Sequence, residues 1–114
     1  MSAFIHPLEI HKRYGVKEIP GIRVSDLEES TRHDKKYMMR VHYAGREHLI
    51  HFGNPNYEHY KDRSPLGIWS DKNHGDHSRR LNYLSRATAI RDGQGKLAVN
   101  DPFSPNRYAV IVLW

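Results

Sequence analysis

Alternation between residues 37 and 52 constrains the fold of this chain more than any other stretch. Tyr37, Met39, Val41 and Tyr43 alternate with Met38, Arg40 and His42, which is the period of a half-buried strand. Ala44-Gly45 then fits a two-residue hairpin turn. That loop length sets Tyr43 against Arg46, Val41 against His48, Met39 against Ile50 and Tyr37 against Phe52. Tyr37, Met39, Val41, Tyr43, Ile50 and Phe52 fall on one face, which becomes the core side. Gly53-Asn54-Pro55-Asn56 ends the second strand.

The second element is a helix over about 77–88, in the stretch HGDHSRRLNYLSR (74–86). Asp76 is a good N-cap, because its carboxylate can accept the first free backbone N–H groups. Leu81, Leu84 and Thr88 share one face with Ala87 beside them, while Arg79, Tyr83 and Arg86 form another stripe at i, i+4 and i+7. The expected core is therefore Tyr37, Met39, Val41, Ile50, Phe52, Leu81 and Leu84. The cationic, aromatic stripe is left to solvent or to a partner.

The remaining chain is sparser. Residues 1–34 have isolated apolar positions and read as an N-terminal arm: two helical turns before Gly15, a turn at Ile19-Pro20-Gly21-Ile22, and a Ser25-x-x-Glu28 capping box that would start a short helix. Residues 57–73 are loop-like, with Ile68 and Trp69 folding back on the hairpin. Residues 91–103 form a Gly- and Asp-rich loop. In the tail, Ser104 at an N-cap with Pro105 at the first helical position favours a helix, although Val110-Ile111-Val112 favours a strand. The helical start outweighs the strand signal.

The fold class that follows is α+β: a small single domain (35–114) in which an antiparallel β-hairpin packs on one or two short helices, plus an extended N-terminal arm (1–34). At 114 residues one domain is the default. Leu, Ile, Val and Phe together stand near the lower end of the globular range, so the core is modest.

The formal charge is +5, from 18 basic and 13 acidic residues, which favours acidic partners. With no Cys, disulfides, thiolate catalysis and Cys-ligated zinc are excluded. No apolar run approaches a membrane span, and MSAFIHPLEI lacks the plan of a signal peptide.

Chemistry-bearing constellations are weak. His48 and His51 sit three apart on a strand and point to opposite faces. His74 and His77 flank Asp76, but their spacing matches no ligand pattern, so no metal and no cofactor is assigned. Glu58, His59 and Asp62 can be drawn as an acid–base set, yet such trios arise by chance in a short, loop-rich chain. No nucleophile elbow, phosphate loop or dinucleotide fingerprint is present, and no catalytic residue is assigned.

One pattern recurs in order: His51-Phe52-Gly53; then His74, Asp76, Arg79, Tyr83 and Arg86; then Ser104-Pro105 with Leu113-Trp114. Across residues 37–114 this resembles a small domain family of large DNA viruses and large tailed phages. Members carry a strand ending in Phe-Gly, then His-x-Asp-x-x-Arg-x-x-x-Tyr-x-x-Arg, then Ser-Pro and a terminal Leu-Trp. This chain departs from them at Ala87, where they have His, and at Tyr108, where they have Trp. The family has no settled activity.

The resemblance implies a non-enzymatic virion component: a minor capsid, cement or other assembly protein, made in the host cytoplasm and bound to other virion proteins in several copies. The alternative is a nucleic-acid-binding protein associated with the viral genome. No membrane is expected as a partner. Arg79, Tyr83, Arg86 and Trp114 are the expected partner-binding residues. His74, Asp76, Ser104 and Pro105 are the expected structural motif. If His74 and Asp76 bond to each other or to the Ser-Pro segment, the motif is a fold-holding latch.

Overall fold

The alternating pair forms as its pattern requires. Strands β2 (Tyr37–Tyr43) and β3 (Arg46–Phe52) pair antiparallel, with Tyr37 opposite Phe52, Met39 opposite Ile50, Val41 opposite His48 and Tyr43 opposite Arg46. Ala44 and Gly45 both take positive φ, 52° and 76°, the geometry of a two-residue turn that follows the strand twist. Tyr37, Met39, Val41 and Phe52 are fully buried, Ile50 nearly so, and Tyr43 is half-buried against them. This is a computed structural model, and it describes residues 6–114. The first five residues, on which the signal-peptide reading partly rests, lie outside that range.

The sheet has a third strand that the sequence pattern hides. Strand β1 (Arg23–Glu29) pairs antiparallel with β2, giving the order β1-β2-β3. The Ser25-x-x-Glu28 helix is therefore corrected: those residues are strand. A bulge between Ser25 and Glu28 places Asp26 at φ 55°. The extra residue puts Leu27 on the core side beside Val24 and breaks the period of two. The described part of the expected arm, residues 6–34, is likewise not extended. Helix α1 (Glu9–Arg13) carries a buried His11, and Val16 and Ile22 are 2% and 3% exposed.

One face of the sheet is covered by the chain's last stretch. Helix α3 (Pro105–Tyr108) runs on as a π-helical turn, Ala109–Leu113. Tyr108, Val112 and Leu113 join the sheet-side core, while Val110 and Ile111 join a second cluster with Val16, Leu84, Ala87 and Val99. Val110–Leu113 is apolar all round because it is buried all round. Each such side chain contributes about 1.5–3 kcal/mol over leaving it in water. The helical reading of the tail is the one that forms.

Helix α2 (His77–Ala87) buries Arg80, Leu84 and Ala87. The expected core position Leu81 is corrected: it is 41% exposed. The helix is phased by Arg80, whose guanidinium takes the inward place that an apolar residue was expected to take. Trp69 packs on the sheet core as expected, but Ile68 is 45% exposed. No helix among the described residues is long and apolar enough to cross a membrane.

Candidate functional site

Two residues of the recurring pattern, His74 and Tyr83, meet around Trp114. Asp76 Oδ1 accepts the Arg79 N–H at 3.1 Å, so the expected N-cap forms. His74 Nδ1 accepts the Asp76 N–H at 2.9 Å, which fixes the turn leading into α2. The Tyr83 ring lies flat on the Trp114 ring, with centroids 4.0 Å apart and planes within 9°. The His74 ring tilts against the same indole at 5.2 Å. Burial pushes the Tyr83 hydroxyl up to about 12 and lowers the His74 imidazole.

Two arginines complete this cluster, and neither stood in the expected site. Arg80 is 8% exposed and donates through Nε to the Trp114 main-chain oxygen at 2.8 Å. Its guanidinium lies over the Tyr60 ring at 4.3 Å. Arg63 donates to the Ile111 and Trp114 main-chain oxygens at 3.5 and 3.4 Å. Both thus satisfy carbonyls that a helix end leaves without partners, and their charge suits its negative pole. Burial, with Arg80 alongside, lowers Arg63 to about 10. The only sequence signal for Arg80 was its spacing, at i and i+4 with Leu84.

The other expected site residues lie outside this cluster. Arg79 pairs with Glu58 at 3.0 Å on the surface. Arg86 is exposed and takes no part in the Trp114 contacts. Ser104 stands at the N-cap of α3 without a side-chain cap bond, and Pro105 holds the first helical position. Tyr83 and Trp114, expected to bind a partner, are half-buried and stack on each other.

A second polar cluster lies inside the fold. Lys36, only 1% exposed, donates from Nζ to the Tyr57 carbonyl at 2.7 Å and to His59 Nδ1 at 2.6 Å. His59 Nε2 meets Asn73 Oδ1 at 2.7 Å, which fixes the proton on Nε2. Burial, with Lys36 adjoining, drops this imidazole to about 4, and burial drops Lys36 to about 8. Asp62 accepts from the Tyr37 hydroxyl at 2.5 Å, the Trp69 N–H at 3.1 Å and the Ser64 N–H at 2.9 Å. Burial, with Asp62 adding to it, pushes Tyr37 up to about 12. The drawn trio of Glu58, His59 and Asp62 is thus taken apart. Its members bind three different partners, and two of them tie the 57–74 loop to β2.

The uncovered face of the sheet carries a third row. Ser25 Oγ lies 3.1 Å from His42 Nε2, His42 Nδ1 lies 3.2 Å from Glu47 Oε1, and Arg40 bonds both Glu47 and Asp26. The order serine–histidine–carboxylate is that of an acyl-transfer triad. Here it spans three strands on an open face, with its carboxylate shared by Arg40, and works as a cross-strand polar ladder. Among the described residues, no three His, Asp or Glu side chains converge as metal ligands. Compared with protein-family models, with curated proteins and with solved structures, the chain matches none.

Proposed function

We propose that this chain is a non-enzymatic structural protein of a virion, a minor capsid, cement or other assembly component, that binds neighbouring virion proteins through its outer surface. The viral setting comes from the family resemblance. The observation that supports protein binding is the free edge of β3. It is the last strand of the sheet, and among the described residues no main-chain hydrogen bond from outside the sheet reaches Arg46–His51. Arg46, Glu47, His48 and Leu49 are exposed there. Such an edge accepts an added strand from a neighbour, whose main chain supplies the affinity. Trp114, expected to bind a partner, packs instead against Tyr83 and His74 of its own domain.

Mass spectrometry of salt-washed, purified particles tests the reading. Recovery of the chain in fixed ratio to the major shell protein is expected. Recovery only from the soluble fraction of infected cells contradicts it.

The second reading, a protein bound to the viral genome, is favoured by one observation. Lys17, Arg46, Arg91 and Lys96, from separate parts of the chain, line a single surface groove.

A further inference from the structure

A groove of about 710 Å³ opens between the β2–β3 turn and the 91–103 loop. Lys17, Arg46, Arg91 and Lys96 line it, together with the rings of Tyr43 and Phe103. Elsewhere on the described surface, Lys12, Arg32, Arg40 and Arg79 are each held by a carboxylate. Among the described residues none of the four groove cations enters such an ion pair, and neither do Arg13, Arg23, Lys35, Lys61 and Arg86; what sets the four apart is that they line one recess. The two acids in the lining face their own loop. Asp92 Oδ1 accepts the N–H groups of Gln94 and Lys96, and Asp101 Oδ1 accepts that of Phe103. Four positive charges against two negative leave the groove cationic.

Its two guanidinium donors are held in place before any ligand arrives. The Arg46 guanidinium rests on the Phe103 ring at 4.8 Å, and His48 packs on the same ring at 4.3 Å. Arg91 donates to the Gly95 carbonyl at 2.7 Å across a loop closed by the Asp92 N–H to Lys96 carbonyl bond. The Lys17 N–H donates to Asn100 Oδ1, and Asn100 Nδ2 donates to the Gly15 carbonyl, which pins that wall. Planar guanidinium forks in fixed orientation suit phosphate oxygens. Tyr43, half-buried at the rim, adds an aromatic face for a base.

We propose that this groove binds the sugar–phosphate backbone of single-stranded nucleic acid. The proposal rests on the genome-binding reading and gives it a site. A flexible strand can follow a recess of this size, and every base offers a face to a ring. The expected site on α2, Arg79 and Arg86, lacks this pre-orientation, since Arg79 is already paired with Glu58.

Fluorescence anisotropy of a labelled oligothymidylate with the full chain tests it. Four cations neutralising a single strand give a log–log salt slope near −2.8, so affinity falls about fifty-fold between about 50 and 200 mM salt. Lys17→Ala with Lys96→Ala is expected to halve that slope, with an unchanged melting temperature, while Arg79→Ala with Arg86→Ala leaves it as it was. Loss of binding in the α2 variant but not in the groove variant overturns the groove and keeps the genome-binding reading. Absence of binding at low salt overturns both. Displacement by polyglutamate as readily as by unlabelled strand also overturns the proposal, because the surface then reads only charge.

Discussion

Gly53 shows how tightly single positions are held. It sits at φ 84°, and a Cβ there would lie 2.8 Å from Leu113 Cδ1 and 3.1 Å from Lys36 Cβ. The Phe-Gly at the end of β3 is therefore the place where the last stretch of the chain comes against the sheet. Gly53→Ala is expected to cost about 2–4 kcal/mol, from left-handed strain plus overpacking, read as a lower urea midpoint. An unchanged midpoint would show that the two elements do not touch there. Asp62 is the second such position. Asp62→Ala strands the Tyr37 hydroxyl proton and the buried Ser64 N–H, at a cost of about 3 kcal/mol. Glu58→Ala, on the surface beside Arg79, is expected to leave the midpoint where it was. Equal effects from the two would restore the acid–base trio as a unit.

The elements were legible where a period ran unbroken. Tyr37 to Phe52 alternate without interruption and their turn has a fixed length, so face and register both follow from residue order. The Asp76 cap was equally plain, since its carboxylate has an obvious use. β1 was not, because the bulge at Asp26 shifts Leu27 out of step with Val24. Nor was the inward place of Arg80 or Lys36. A cation is buried only where partners from distant stretches converge, here Trp114 and Tyr57, and residue order does not record that convergence. The site was legible as a set of spaced residues, but what those residues do was not. Tyr83 and Trp114 looked available because nothing in the spacing says that they stack. The β2–β3 turn carries its own prediction. Ala44 holds a left-handed conformation that asparagine tolerates better. Ala44→Asn is expected to stabilise the chain by about 0.5–1 kcal/mol, visible as a higher melting temperature, and a lower one would mean that the turn is of another type.

At the scale of the whole molecule, two apolar clusters share one buried segment, and two polar clusters fasten the 57–74 loop and Trp114 around it. Two buried histidines are neutral at pH 7. His11 and His59 are fully buried, and burial drops each from 6.5 to about 4. Because the unfolded chain binds these protons more readily, their contribution is complete above pH 6.5. It is lost progressively as pH falls towards 4. Each site adds a slope of up to about 1.4 kcal/mol per pH unit. Urea midpoints are expected to be steady near pH 7 and to fall steeply from 6 to 4, and a flat profile there would mean that both rings reach water. The account stands on the Val110–Trp114 segment being part of the common core rather than a projecting tail. Native-state hydrogen exchange tests this most directly. The amides of Val112 to Trp114 are expected to exchange only with the global unfolding that releases Met39 and Val41 of β2; exchange at near-unfolded rates while β2 stays protected would contradict it.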